Sequence, residues 1–144
     1  DYHSNGGLKD SIANILDTKE FVVNLATKKL QQSVVHRSID ATHGIDEFKL
    51  MKLKKRKSTM VQPPSVAESP VTLECKLIRK IDLKGKKINQ NIMIIGEVVG
   101  IHIKDAFISN GKVNSLAMRA ISRMGYTEYS EVKSRFLMDR PKYS

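Results

Sequence analysis

The sequence predicts a mainly β domain that also carries helices, an α+β class, and three observations lead there. Its 144 residues suit one domain, with two being cramped. Two long runs, Val71 to Leu83 and Asn91 to Lys104, are rich in apolar and β-branched residues and read as paired strands. Shorter stretches ahead of them, led by Leu8 to Asp17, repeat apolar residues at helical spacing.

Taken in order, Leu8, Ile12, Ile15 and Leu16 fall on one side of a short helix that begins after Gly6-Gly7. Phe21-Val22-Val23-Asn24-Leu25 follows as a buried strand, because aromatic and β-branched residues fit a pleated surface. Thr27 to Arg37 reads as a second helix with Leu30 and Val34 inward, and Ile45 to Lys52 as one or two further turns. A basic run then leads into Gln62-Pro63-Pro64-Ser65, and the stretch 52–66 is expected to be a flexible, extended connector, since proline cannot donate to a ladder. Val71, Leu73, Cys75 and Leu77 alternate with polar neighbours, which makes a half-exposed strand with Cys75 in the core and Glu74 in solvent. The pattern resumes at Ile81 and Leu83 beyond an irregularity, and Gly85 among Lys84, Lys86 and Lys87 marks a turn. Asn91 to Lys104 returns as the second long strand, with Gly96 and Gly100 as bulge or bend sites. Ala106 to Ile108 is a short strand ending at an Asn110-Gly111 turn, Val113 to Arg123 a last helix, and the chain after Met124 a loop. These strands are too few to close a barrel.

Composition narrows the functional classes. Hydrophobic residues make up 40% and charged residues 28%, within the range of globular chains. No run of about 18 apolar residues exists to cross a membrane. One cysteine cannot form an intrachain disulfide, which suits an intracellular, cytoplasmic setting. His3, His36 and His43 show no metal-ligand spacing, so no metal site is expected. The net charge of +10 raises nucleic acid as a partner, with Lys52, Lys54, Lys55, Arg56 and Lys57 as its focus. A run of this kind is more ordinarily a solvated loop, and no Phe or Tyr alternates with it as a stacking platform. The chain starts Asp1-Tyr2-His3 with neither an initiator Met nor a signal peptide, which leads us to expect an internal or trimmed segment.

The stretch from Ser4 to Asn14 holds the most chemistry. Glycines, short polar side chains and Lys9 meet at a helix start, where unpaired amides and the helix dipole favour an anion. Ser11 supplies a hydroxyl donor for a phosphate oxygen. The competing reading is plain capping by Ser4, Asn5 or Asp10. A P-loop is excluded, because no Gly-Lys-Ser/Thr stands at the required spacing.

Lys9-Asp10-Ser11, Asn14-Ile15 and Thr18-x-Glu20-Phe21-Val22-Val23-Asn24 together resemble the Lys-Asp-Thr signature of the flavin reductase-like family of FMN-binding split barrels. Gly44-Ile45-Asp46-Glu47-Phe48, the run from Pro64 through Val66-Ala67-Glu68-Ser69-Pro70 to Glu74-Cys75-Lys76, Gly96-Glu97-Val98-Val99-Gly100-Ile101-His102-Ile103, and Arg123-x-Gly125-Tyr126 are similar to further segments of that family, in the same order. The resemblance spans nearly the whole chain, residues 1–144 as a single domain, and implies an incomplete split β-barrel. Members carry roughly another 50 residues ahead of the signature, within ordinary domain size. It implies FMN as cofactor, NADH or NADPH as electron donor, hydride transfer between nicotinamide and flavin, and a homodimer with FMN near the subunit interface.

Carried over residue by residue, it places Lys9 and Ser11 (in the Thr position) on the FMN phosphate, within a motif that includes Asp10, with Asn14 as a further candidate. His102 either approaches the flavin or nicotinamide or is a hydrogen-bonded structural histidine. Arg123 and Tyr126 line either a cofactor edge or a subunit contact. No catalytic residue is singled out. Where reductases that serve two-component monooxygenases carry Gly-Asp-His, this chain reads Asn89-Gln90-Asn91-Ile92. That departure keeps a second reading open, a non-catalytic or degenerate flavin-binding or interaction protein. Nucleic-acid binding is the weakest of the three.

Overall fold

The computed structural model describes residues 9–36, 47–83 and 91–141. Expectations placed on His3 to Leu8, on the side chains of Val34 to His36, on Arg37, on His43 to Asp46 and on Lys84 to Gln90 lie outside the described residues. Helix α1, Asp10–Thr18, is followed by strand β1, Glu20–Asn24. The helix stops at Lys19, which takes a left-handed φ of 60° and donates its N–H to the Ile15 carbonyl at 3.0 Å. The Lys19 carbonyl in turn accepts from Leu77 N–H at 2.7 Å, which ties the helix end to the sheet.

The main sheet has the order β1–β4–β5, with β4 at Val71–Leu83 and β5 at Asn91–Ile103, all antiparallel. Its register sorts the side chains into rows, because directly opposed residues share a face. Val23, Leu73 and Ile101 form one apolar row, and Phe21, Cys75 and Val98 another. The alternate rows lie on the opposite face: Asn24, Thr72 and His102, then Val22, Glu74 and Gly100. Two register shifts interrupt the hairpin, and the glycines sit at them. Gly100 opposes Glu74 at one and Gly96 opposes Leu77 at the other. Gly96 also has a packing reason, since a Cβ there would lie 2.4 Å from Cζ of Phe21. The expected bulge sites and the irregularity beyond Leu77 are therefore both present.

The stretch expected as an extended connector is folded back on itself. Strands β2, Lys55–Arg56, and β3, Ser65–Val66, pair antiparallel, and between them the chain arches over the polar face of the sheet. Ser58, Val61, Ser65 and Val66 are buried within this arch. Helices α2, Gln31–His36, and α3, Glu47–Leu50, lie between β1 and the arch in sequence, α2 preceded by a 3-10 turn at Lys28–Leu30.

The last third departs most from expectation. Asp105–Phe107 is a 3-10 turn, so only Ile108–Ser109 (β6) pairs with Lys112–Val113 (β7), across an Asn110-Gly111 turn with φ of 50° and 70°. No helix forms over Val113 to Arg123. Arg119 takes a φ of 53°, Lys28 N–H bonds to the Arg119 carbonyl at 2.9 Å, and Ile121 N–H to the Ala26 carbonyl at 3.1 Å. Pairing with residues 26–28 satisfies backbone groups that a helix would otherwise use, and tertiary contacts override the local propensity. Ile121–Gly125 (β8) then pairs with Glu128–Glu131 (β9), where a loop was expected. Among the described residues the sheets do not close into a barrel, and no helix is long and apolar enough to cross a membrane.

Candidate functional site

The start of α1, strand β1, the residues around α3 and the arch enclose a pocket of about 280 Å³. Ser11 and Asn14 stand three residues apart on one helix face and reach it from α1. Asn24 adds a third polar group from the end of β1, while Phe21, Phe48, Pro64 and Val66 make the rest of the wall apolar. A mostly apolar lining with a few polar side chains suits a largely apolar ligand that carries polar groups. Lys9 occupies the N-cap position, extended at φ −61° and ψ 142°, and its carbonyl accepts the N–H groups of Ile12 and Ala13 at 2.9 and 3.1 Å. The amides of Asp10 and Ser11 precede those first intrahelical bonds, so the helix start is directed outward there. The Lys9 side chain makes no capping hydrogen bond, and the alternative of capping by Ser4 or Asn5 lies outside the described residues.

His102 is set apart from this pocket, on the polar face of β5. Its Nε2 lies 2.5 Å from Oε1 of Glu74. Glu74 corrects the expectation of a solvated strand residue, being only 1% exposed. Its carboxylate accepts from Thr59 N–H at 2.9 and 3.1 Å and from Met60 N–H at 2.5 Å, both in the arch. Burial pushes its carboxyl up, but the two amides and His102 together outweigh that and hold it below the ordinary value of 4.5. An ionised carboxylate only accepts, so Nε2 of His102 carries the proton of their bond. Next to them Arg56 donates to Oγ1 of Thr72 at 2.7 Å and to Oγ of Ser65 at 3.0 Å. The geometry thus favours the hydrogen-bonded reading of His102.

Arg123 and Tyr126 stand on the β8–β9 hairpin and line neither this pocket nor the other described cavities. Arg123 donates to the Tyr126 carbonyl at 2.7 Å, and the Tyr126 ring is 93% exposed. A larger cavity of about 530 Å³ lies between Lys28, Gln31, Tyr129 and Glu131, with none of the expected site residues in it. Glu131 there is paired with Arg119. Among the described residues no group of three His, Cys, Asp or Glu side chains is placed to hold a metal. Cys75 is buried, and burial pushes its thiol up, away from the reactive thiolate.

Two residues escaped sequence reasoning: Asn24, read only as part of the strand from Phe21 to Leu25, which lines the pocket, and Glu74, read as a solvated strand residue, which pairs with His102. Setting β4 against β5 in register puts Glu74 and His102 on one face, which is the signal that would have found the pair.

Comparison with known proteins gives the chain a family and a fold. Residues 7–117 match the flavin reductase like domain family. An uncharacterised protein of Halalkalibacterium halodurans is 31% identical over 140 residues, covering 96% of this chain and 67% of its own length. The crystal structure of nitrilotriacetate monooxygenase component B from Bacillus cereus superposes with a TM-score of 0.85 at 25% identity, covering 95% of this chain and 68% of that one. A split-barrel protein of the flavin reductase type from Shewanella frigidimarina gives 0.75 at 22% identity, covering 92% and 65%. The chain spans between 60 and 67% of the length of three curated relatives.

Proposed function

The chain belongs to the flavin reductase-like domain family, and from that premise we propose that it binds FMN at the α1–arch pocket and works as a nicotinamide-dependent flavin oxidoreductase. One observation carries the reading. Ser11 and Asn14 of the helix start open into the same pocket as Phe48 and Pro64, so separate family-like motifs converge on one cavity. The donor set fits a phosphate, with a hydroxyl, an amide and the outward helix start within the first two turns of α1 and Lys9 at its cap. The apolar walls fit the carbon skeleton beyond the phosphate.

In this mechanism Lys9 neutralises the phosphate, Ser11 donates its hydroxyl hydrogen to a phosphate oxygen, and Asn14 donates its amide beside it. Phe21, Phe48 and Pro64 exclude water from the enclosed part of the ligand. FMN, when bound, supplies hydride acceptance and donation, chemistry that belongs to the cofactor rather than to any side chain here. NADH or NADPH is the proposed donor, and a homodimer the proposed assembly. The exposed apolar rows of the sheet support a partner surface for that assembly.

A visible spectrum tests the function. Purified protein mixed with FMN retains a flavin peak after desalting, and the peak bleaches anaerobically on adding NADH or NADPH. A retained peak that neither nucleotide bleaches would leave a flavin-binding protein without reductase activity. Failure to retain FMN at all would refute the proposal.

A further inference from the structure

We infer that Glu74 is the positioning residue of the pocket: its buried carboxylate, oriented by His102, fixes the arch whose Pro63, Pro64 and Val66 form the wall facing Ser11 and Asn14. The inference rests on reading that pocket as the flavin site, but its first readout does not need a ligand.

The connections are short and continuous. Thr59 and Met60, which donate their N–H groups to Glu74, stand three to five residues before Pro63 and Pro64. Oγ of Ser58 donates to the Pro63 carbonyl at 2.6 Å, linking the two sides of the turn. Met60 also rests against the sheet at Gly100, where a Cβ would lie 3.2 Å from its Cγ and 3.5 Å from Cβ of Glu74. Releasing Glu74 therefore frees the turn, and the turn carries the pocket wall. Two other anchors hold the far side of the arch: Gln62 N–H bonds to Glu20 at 2.8 Å and Val66 N–H to Asn24 at 2.9 Å. Glu74 is distinguished from Glu20 by full burial, so water cannot replace the bonds it accepts. His102 is 35% exposed at its side chain and reaches the carboxylate from the rim, so it can be replaced without opening a core cavity.

The test uses the whole chain with three substitutions. His102→Leu removes the donor, His102→Gln restores an N–H donor, and Glu74→Gln removes the charge at nearly constant shape. Backbone amide exchange over Thr59 to Val66 is measured without ligand, and FMN and riboflavin affinities by quenching of flavin fluorescence. In His102→Leu and Glu74→Gln, exchange at Thr59 and Met60 accelerates about tenfold. FMN and riboflavin both weaken by the same factor, since a displaced wall does not discriminate the phosphate. His102→Gln recovers most of both effects. Unchanged exchange in His102→Leu would overturn the inference, as would a loss confined to FMN, which would put His102 on the phosphate instead. His102→Gln behaving like His102→Leu would overturn it too. If exchange responds as described while the unsubstituted chain binds neither flavin, the positioning of the arch stands and the flavin reading fails.

Discussion

The two faces of the β1–β4–β5 sheet are covered in opposite ways. On one face Thr72 and Glu74 are almost wholly buried beneath the arch, whose amides and guanidinium satisfy them. On the other face Ile101 is 64% exposed, and Val23 and Val98 are close to half exposed. The apolar face of a sheet normally supplies the core, and the polar one meets water. Here a basic, proline-containing segment seals the polar face through directed hydrogen bonds, while among the described residues the apolar face buries Cys75 but leaves Ile101, Val23 and Val98 exposed. The open face joins features that mark protein contact surfaces.

Substitutions on both faces, and acidification, probe that contrast. Glu74→Ala has the largest expected effect, because it removes the buried acceptor shared by the Thr59 and Met60 amides and one partner of a charge-assisted pair. We expect a loss of roughly 3–5 kcal/mol in urea unfolding. Acidification acts on the same group. A carboxyl held below 4.5 in the fold contributes stability that is complete above that value and is lost as pH falls through its lowered value. The stability gap between the unsubstituted chain and Glu74→Gln should accordingly narrow below about pH 4.5, and a gap constant down to acid pH would contradict an ionised Glu74.

Gly96→Ala comes next, at about 1–3 kcal/mol, since its Cβ would meet the Phe21 ring. Phe21→Ala in the same chain should make the pair of changes cost less than their sum, as measured by a double-mutant cycle. Asn24→Ala leaves Val66 N–H without its acceptor and should cost about 1–2 kcal/mol of thermal stability. Ile101→Thr, on the open face, should change stability by under about 0.5 kcal/mol, while lowering the binding of a hydrophobic dye. A large loss there would mean that the apolar face is covered in the isolated chain.

Much of the sheet was readable from the chain itself. The apolar alternation in Val71 to Leu77, the two glycines of β5 and the Asn110-Gly111 pair each act locally, so strands, bulges and a turn follow from short windows. The arch was not readable for the opposite reason. Lysines and prolines in sequence announce a solvated connector, and only distant Glu20, Asn24 and Glu74 turn them into a fold. Residues 113–123 failed in the same way, because their partners at 26–28 lie far away in the chain. As for the site, the position of Ser11 and Asn14 on the first helix was legible, and α1 does bring them to one pocket. His102 carried two readings, and its proximity to Glu74 depends on hairpin register rather than on either residue's neighbours.

In the proposed complex the start of α1 holds a phosphate while the arch walls the rest of the ligand. Titrating FMN and riboflavin against the unsubstituted chain and Lys9→Ala tests it most directly. The unsubstituted chain should prefer FMN, and Lys9→Ala should weaken FMN about tenfold while leaving riboflavin nearly unchanged. Equal losses for both ligands, or no preference for FMN at the outset, would contradict it.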